Sequence, residues 1–153
     1  MNGGENDSTQ DAFMLNRLIQ HVASSAGLSI PQARQALGVV LNAGERQGSA
    51  LADLICREIP GARTLAAETG ADFGAATGAI ARMIEQTPGG RRLVFETMVM
   101  RLHAAGLGHD QVAALLPALG SYARSVLGVE MAGDLGDAFG AGATPGEALR
   151  RVA

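Results

Sequence analysis

The sequence predicts an all-α protein: a single-domain bundle of about seven to nine short helices, arranged as two similar helix-turn-helix halves. Three observations lead there. Apolar residues recur at the i, i+3, i+4, i+7 spacing of a helix face along most of the chain. Glycine and proline interrupt those stripes where helices end. No run alternates apolar and polar residues as a half-buried strand does, and no hairpin signal occurs. With 153 residues the chain has the length of one domain and can bury its own core without metal or disulfide help.

The elements follow in order. Residues 1–10 are polar and contain two glycines, and read as a flexible tail ahead of a helical domain spanning 11–142. Leu15, Leu18, Ile19, Val22, Ala23 and Ala26 form the first apolar face, which Gly27 stops because glycine accepts the left-handed helix end. Ser29 and Gln32 make a capping box for the second helix, with Pro31 in its first turn. That helix buries Ile30, Ala33, Leu37, Val40 and Leu41 and frays over residues 44–48. A third helix from Ser49 buries Leu51, Leu54, Ile55 and Ile59, and Pro60-Gly61 ends it. A short helix then carries Leu65 and Ala66.

A middle helix is expected over residues 71–86, with Phe73, Ala76, Ile80, Met83 and Ile84 as its apolar face. Gly70, Gly74 and Gly78 line its start four residues apart. Such a stripe admits a close neighbour, but each internal glycine costs up to about 1 kcal/mol of helix propensity. Thr87-Pro88-Gly89-Gly90 opens the next helix, whose face is Phe95, Met98, Val99, Leu102 and Ala105. Gly106 stops it. The clearest stripe of all follows: Val112, Leu115, Leu116, Leu119, Tyr122, Ala123 and Val126, with Pro117 inside it as an expected kink. A further helix with Ala132, Leu135 and Phe139, then a short C-terminal helix over 143–153, complete the prediction.

The segments GLSIPQA (27–33) and GLGHDQV (106–112) match at an offset of 79, each between two apolar helices. The match reads either as an internal duplication or as what any two helices joined by a glycine turn resemble.

Composition excludes several functions. All twelve basic residues are arginine, so Schiff-base chemistry and a lysine-bearing phosphate loop are absent. A single cysteine, Cys56, forms neither an intrachain disulfide nor a multi-cysteine metal cage. A net charge of −3 lacks the cationic footprint of a nucleic-acid binder. The start has neither the positive charge nor the apolar core of a secretory signal, and the longest run without Asp, Glu, His, Lys or Arg, residues 111–123, is too short to span a bilayer. A cytoplasmic protein with no membrane span is expected.

Candidate chemistry is sparse. Gly89, Gly90, Arg91 and Arg92 place two guanidinium groups beside free backbone N–H groups at a helix start, a candidate anion site; the alternative is two solvated arginines pointing away. His103, His109 and Asp110 around the Gly106 turn are possible metal ligands, but their spacing matches no established site, and His109 or Asp110 as a helix cap is the plainer reading. His21 is expected to face water. Cys56 beside Arg57 lacks the base that a nucleophile needs, and reads as a small buried residue. The GAGATPG run (140–146) follows a helix rather than a strand, so it reads as a connector, and Asp134 and Asp137 as a solvated edge. No metal, no cofactor and no enzymatic activity are expected.

The segments LIQHVASSAGLSIPQARQALGVVLNA (18–43), IPGA (59–62), LHAAGLGHDQVAALLPALGSYA (102–123) and GVEMAGDL (128–135) resemble the VcgC/VcgE-like proteins, a bacterial family of unknown function. The resemblance implies a small helical domain and carries no activity, substrate or site residue. Residues 18–43 are also similar to the opening helix pair of the histone-like HU/IHF proteins, but the lysine- and arginine-rich arms with which those bind DNA have no counterpart here. The expected function is a non-enzymatic protein-interaction module, self-associating or binding another protein. Met98, Val99 and Met100 exceed one narrow stripe and supply part of a contact patch. The alternative is a bundle that binds a small apolar or anionic ligand.

Overall fold

The computed structural model describes residues 3–128, with side chains from residue 9 onward. Seven helices make up the described residues: α1 (Gly3–Ala26), α2 (Ile30–Arg46), α3 (Ala50–Glu58), α4 (Ala62–Asp72), α5 (Ala79–Glu85), α6 (Pro88–Ala104) and α7 (His109–Val126), with no strand. The helix expected around Leu135, the C-terminal helix, Asp134, Asp137 and the 140–146 run lie outside them.

α2 is the central element, packed against α1, α3, α4 and α6, and α7 closes the core against α1. Leu18, Ile19, Val22, Leu37, Leu41, Leu51, Ile55, Ile59, Leu102, Leu115 and Leu119 are the largest fully buried side chains. Each contributes about 1.5–3 kcal/mol relative to exposure. The apolar faces read for α1, α3 and α7 are the buried ones, apart from Val126 at the last position of α7, which is exposed. Ile30, at the first position of α2, also faces solvent, because the core-facing stripe of that helix begins only at Ala33.

Local chemistry sets the helix ends. Ser29 caps α2 and Gln32 returns the bond, as the box requires. Ser49 caps α3 through the Ala52 N–H, and Thr87 caps α6 through the Gly90 N–H. α1 begins earlier than expected. Residues 3–10, read as a tail, are helical.

The middle helix needs correction. Gly74 and Gly78 have φ of 69° and 102°, which no right-handed helix tolerates, so the chain breaks between α4 and α5. Gly70 has the opposite role. It stays inside α4, and a Cβ there would strike the Asn42 side chain of α2, while one at Gly38 would strike Thr69. These two glycines set the close approach of α2 and α4.

The offset of 79 holds in three dimensions at the two turns. Leu28 N–H donates to Ala23 O at 2.9 Å, and Leu107 N–H to Leu102 O at 3.2 Å. Gly27 and Gly106 both take positive φ, and Leu28 and Leu107 are both buried behind them. Ser29 N–H donates to Gln32 Oε1, and Gly108 N–H to Gln111 Oε1, again 79 positions apart. The two turns also meet. Gln111 Nε2 donates to Gly27 O at 2.9 Å, while Gln32 Nε2 stands 3.1 Å from where a Cβ of Gly106 would lie. The α1–α2 and α6–α7 hairpins are thus similar halves whose turns face each other.

Candidate functional site

The expected anion site is built differently from its sequence reading. In the first turn of α6, Pro88 has no N–H, Gly90 N–H donates to Thr87 Oγ1 at 3.1 Å and Arg91 N–H to Thr87 O at 2.8 Å. Gly89 is left as the one uncommitted glycine N–H of this turn. Arg92 turns back to Glu96, with Nε to Oε1 at 2.9 Å. Arg91 Nε is buried without a hydrogen-bond partner. Gly90 is required by packing, since a Cβ would strike the backbone of Ile84 and Glu85, whereas a Cβ on Gly89 would meet nothing.

His103 and His109 stack with ring centroids 6.4 Å apart. His103 Nδ1–H donates to Leu107 O at 2.9 Å, which ties the ring to its own turn. Gly108, not His109 or Asp110, is the N-cap of α7, and Gln111 supplies the side-chain bond. Among the described residues no three His, Cys, Asp or Glu side chains gather as a metal site.

His21 is half-buried rather than free in solvent. Its Nε2–H donates to Ala118 O of α7 at 3.0 Å, and its ring lies 5.4 Å from that of Tyr122. The sequence contains no sign of this, because the partner is 97 positions away. Cys56 is buried. Burial, with the negative charge of Glu45 beside it, pushes the thiol up to about 12; Arg63, rather than Arg57, is the cation that pulls the other way. A thiol held that high is not a nucleophile at neutral pH.

The space between Val40, Phe95, Met98, Leu102, Val112, Leu115 and Leu116 is about 10 Å³, below the volume of one water molecule. Met98 and Val99 belong to this core, and Met100 alone of that trio is exposed.

The feature that the sequence reading placed inside the core, and the structure places outside it, is the α5 face. Ile80, Met83 and Ile84 share one side of α5 and are 76%, 72% and 62% exposed. The opposite side is anchored by polar bonds. Arg46 grips Glu85 with both ends of its fork, Nε to Oε2 at 2.9 Å and Nη2 to Oε1 at 2.8 Å. Gln47 Nε2 donates to Glu85 O at 3.0 Å, and Arg82 Nη1 to Glu45 O at 2.6 Å. The end of α2 therefore holds α5 with its apolar residues turned outward. Leu93 and Met100 are also exposed, on the outer side of α6.

No family model, curated protein or solved structure matches this chain. No helix among the described residues is long and apolar enough to cross a membrane.

Proposed function

We propose that the chain is a non-enzymatic interaction module that contacts a protein, in the first instance a second copy of itself, through the outer face of α5. The observation that carries this reading is the exposure of Ile80, Met83 and Ile84 on a helix fixed from behind by the Arg46–Glu85 pair. Scattered apolar residues on a surface need no explanation, but three on one side of a seven-residue helix form a patch. Each Å² of such surface that a partner covers is worth about 25 cal/mol. A clamped helix also loses little freedom on binding, which lowers the cost of association. A cytoplasmic setting without nucleic acid belongs to the same reading, in keeping with a net charge of −3.

Sedimentation velocity over a micromolar-to-millimolar series tests it. The sedimentation coefficient rises with concentration for the native chain and stays flat for the combined Ile80→Ser, Met83→Ser, Ile84→Ser variant. A native chain that remains monomeric throughout overturns self-association through this face.

A further inference from the structure

We infer that the groove bounded by α2, α4 and α6 is a binding site for a small zwitterion, a molecule with an ammonium group, a carboxylate and a compact apolar group, as in a free amino acid. The groove is separate from the α5 face and does not depend on its role.

Its volume is about 540 Å³, which is the size of a small-molecule site. Its floor is apolar: Val39 and Leu65 are buried in the core, and the Phe73 ring packs on the edge of that core. The shape has a cause in the sequence. Gly38 and Gly70 draw α4 close onto α2, and α4 stops at Asp72, which leaves Phe73 turned inward just beyond it.

The charges are sorted by wall. α4 contributes two carboxylates, Glu68 and Asp72, one helical turn apart. Across the groove α6 contributes Arg101, and α2 contributes Arg34. Arg101 sits over Phe73, its guanidinium carbon 4.9 Å from the ring centroid, so that cation is already positioned. Elsewhere Glu45 and Asp53 pair with Arg63, Glu85 with Arg46 and Glu96 with Arg92, while Asp11, Glu58 and Asp110 stand apart from any cation among the described residues. In the groove neither Glu68 nor Asp72 makes an ion pair, and neither Arg34 nor Arg101 reaches a carboxylate. Two like charges four apart on one helix repel, which a bound cation relieves.

Two carboxylates facing two arginines select against a pure anion, such as a phosphate, and against a bare metal ion. They favour a ligand that is neutral overall and charged at both ends. Its ammonium belongs at Glu68 and Asp72, its carboxylate at the guanidinium forks of Arg101 and Arg34, and its apolar group over Phe73 and Leu65.

The test is a titration of the ¹⁵N-labelled full chain, followed by two-dimensional NMR, with L-phenylalanine and L-leucine. Butylamine and isovalerate serve as ammonium-only and carboxylate-only probes. At least one amino acid shifts the amides of Thr69, Gly70, Phe73 and Ala104 and saturates; each single-charge probe binds at least tenfold more weakly. Arg101→Met and the pair Glu68→Gln, Asp72→Asn each weaken the binding at least tenfold and leave the chain folded, since all three side chains are exposed and Arg101 gives up only its contact with the Phe73 ring. The assignment falls if neither amino acid gives saturable shifts at these amides, or if butylamine or isovalerate binds as tightly. It also falls if the charge-removing variants bind like the native chain.

Discussion

Gln111 Nε2 donates to the carbonyl oxygen of Gly27 at 2.9 Å, joining two helix turns that lie 84 positions apart in the chain. The same side chain accepts from Gly108 N–H through Oε1 at 2.8 Å, so one glutamine both caps its own helix and satisfies an orphan carbonyl at the end of α1. Its counterpart Gln32 caps α2 and faces Gly106. The two hairpins are joined at their turns by Gln111, with Gln32 set against Gly106.

Replacement Gln111→Ala removes the cap and the cross-turn bond together. We expect a loss of about 1–2 kcal/mol, read as a lower urea midpoint with an unchanged slope. A change below the error of the fit would show that the turns do not hold each other.

Glu85→Ala leaves the Arg46 guanidinium, 14% exposed, without its carboxylate. Breaking such a pair costs about 3–5 kcal/mol where both groups are buried; here the loss falls first on the local stability of α5. Amide exchange over residues 79–85 accelerates more than exchange in α2 or α7. Uniform acceleration across all helices would contradict a local clamp.

The pair Gly89→Ala and Gly90→Ala separates packing from anion binding at the start of α6. Alanine at 89 meets nothing and gains up to about 1 kcal/mol of helix propensity. Alanine at 90 collides with the backbone of Ile84 and Glu85, which cannot retreat, and costs about 1–3 kcal/mol. Thermal melts of the two variants therefore move in opposite directions.

Gly38→Ala collides with Thr69, whose hydroxyl donates to Leu65 O at 2.8 Å. The variant is destabilised by about 1–3 kcal/mol. Adding Thr69→Ala clears the obstruction and leaves the propensity gain, so the double variant recovers most of the loss. Failure of that recovery would mean that the approach of α2 to α4 is set by other contacts.

Cys56 gives the chain an alkaline signature. The thiol has an ordinary value of 9.0 and is pushed up to about 12 by burial and by Glu45. Above pH 9 the unfolded chain ionises while the folded one keeps its proton, so stability is full below pH 9 and falls between pH 9 and 12. The Cys56→Ala variant shows a shallower decline over that window in denaturant melts. Equal slopes would remove Cys56 as the cause.

The parts of the fold legible in the sequence are those encoded by near neighbours. Ser29 with Gln32, Thr87 with Gly90, and the stops at Gly27 and Gly106 each need only a few consecutive residues to interpret. The stripe Leu115–Leu116–Leu119 is legible because it is long. The stripe Ile80–Met83–Ile84 has the same period but faces water, because periodicity reports that a face is apolar and not that anything covers it. Glycines at 70, 74 and 78 look identical on paper, yet the first seats Asn42 and the other two break the chain, a difference that lies in φ and in a partner helix. The groove at Phe73 was illegible for a related reason: Arg34, Glu68, Asp72 and Arg101 come from three helices, and only the packing of α2 with α4 and α6 brings them together.

The polar mounting of α5 also has a thermal consequence. Release of that helix breaks ionic and amide hydrogen bonds but wets little new apolar surface, since Ile80, Met83 and Ile84 are in water already. The heat-capacity change of that opening is therefore small, and its free energy varies almost linearly with temperature, unlike the curved stability of the leucine-rich core. Cooling weakens the core through the fading hydrophobic term and acts little on the clamp, whose nearly buried Arg46–Glu85 pair salt also screens only weakly. The two parts of the molecule answer differently to temperature: cold acts on the leucines and spares the helix that carries the contact face.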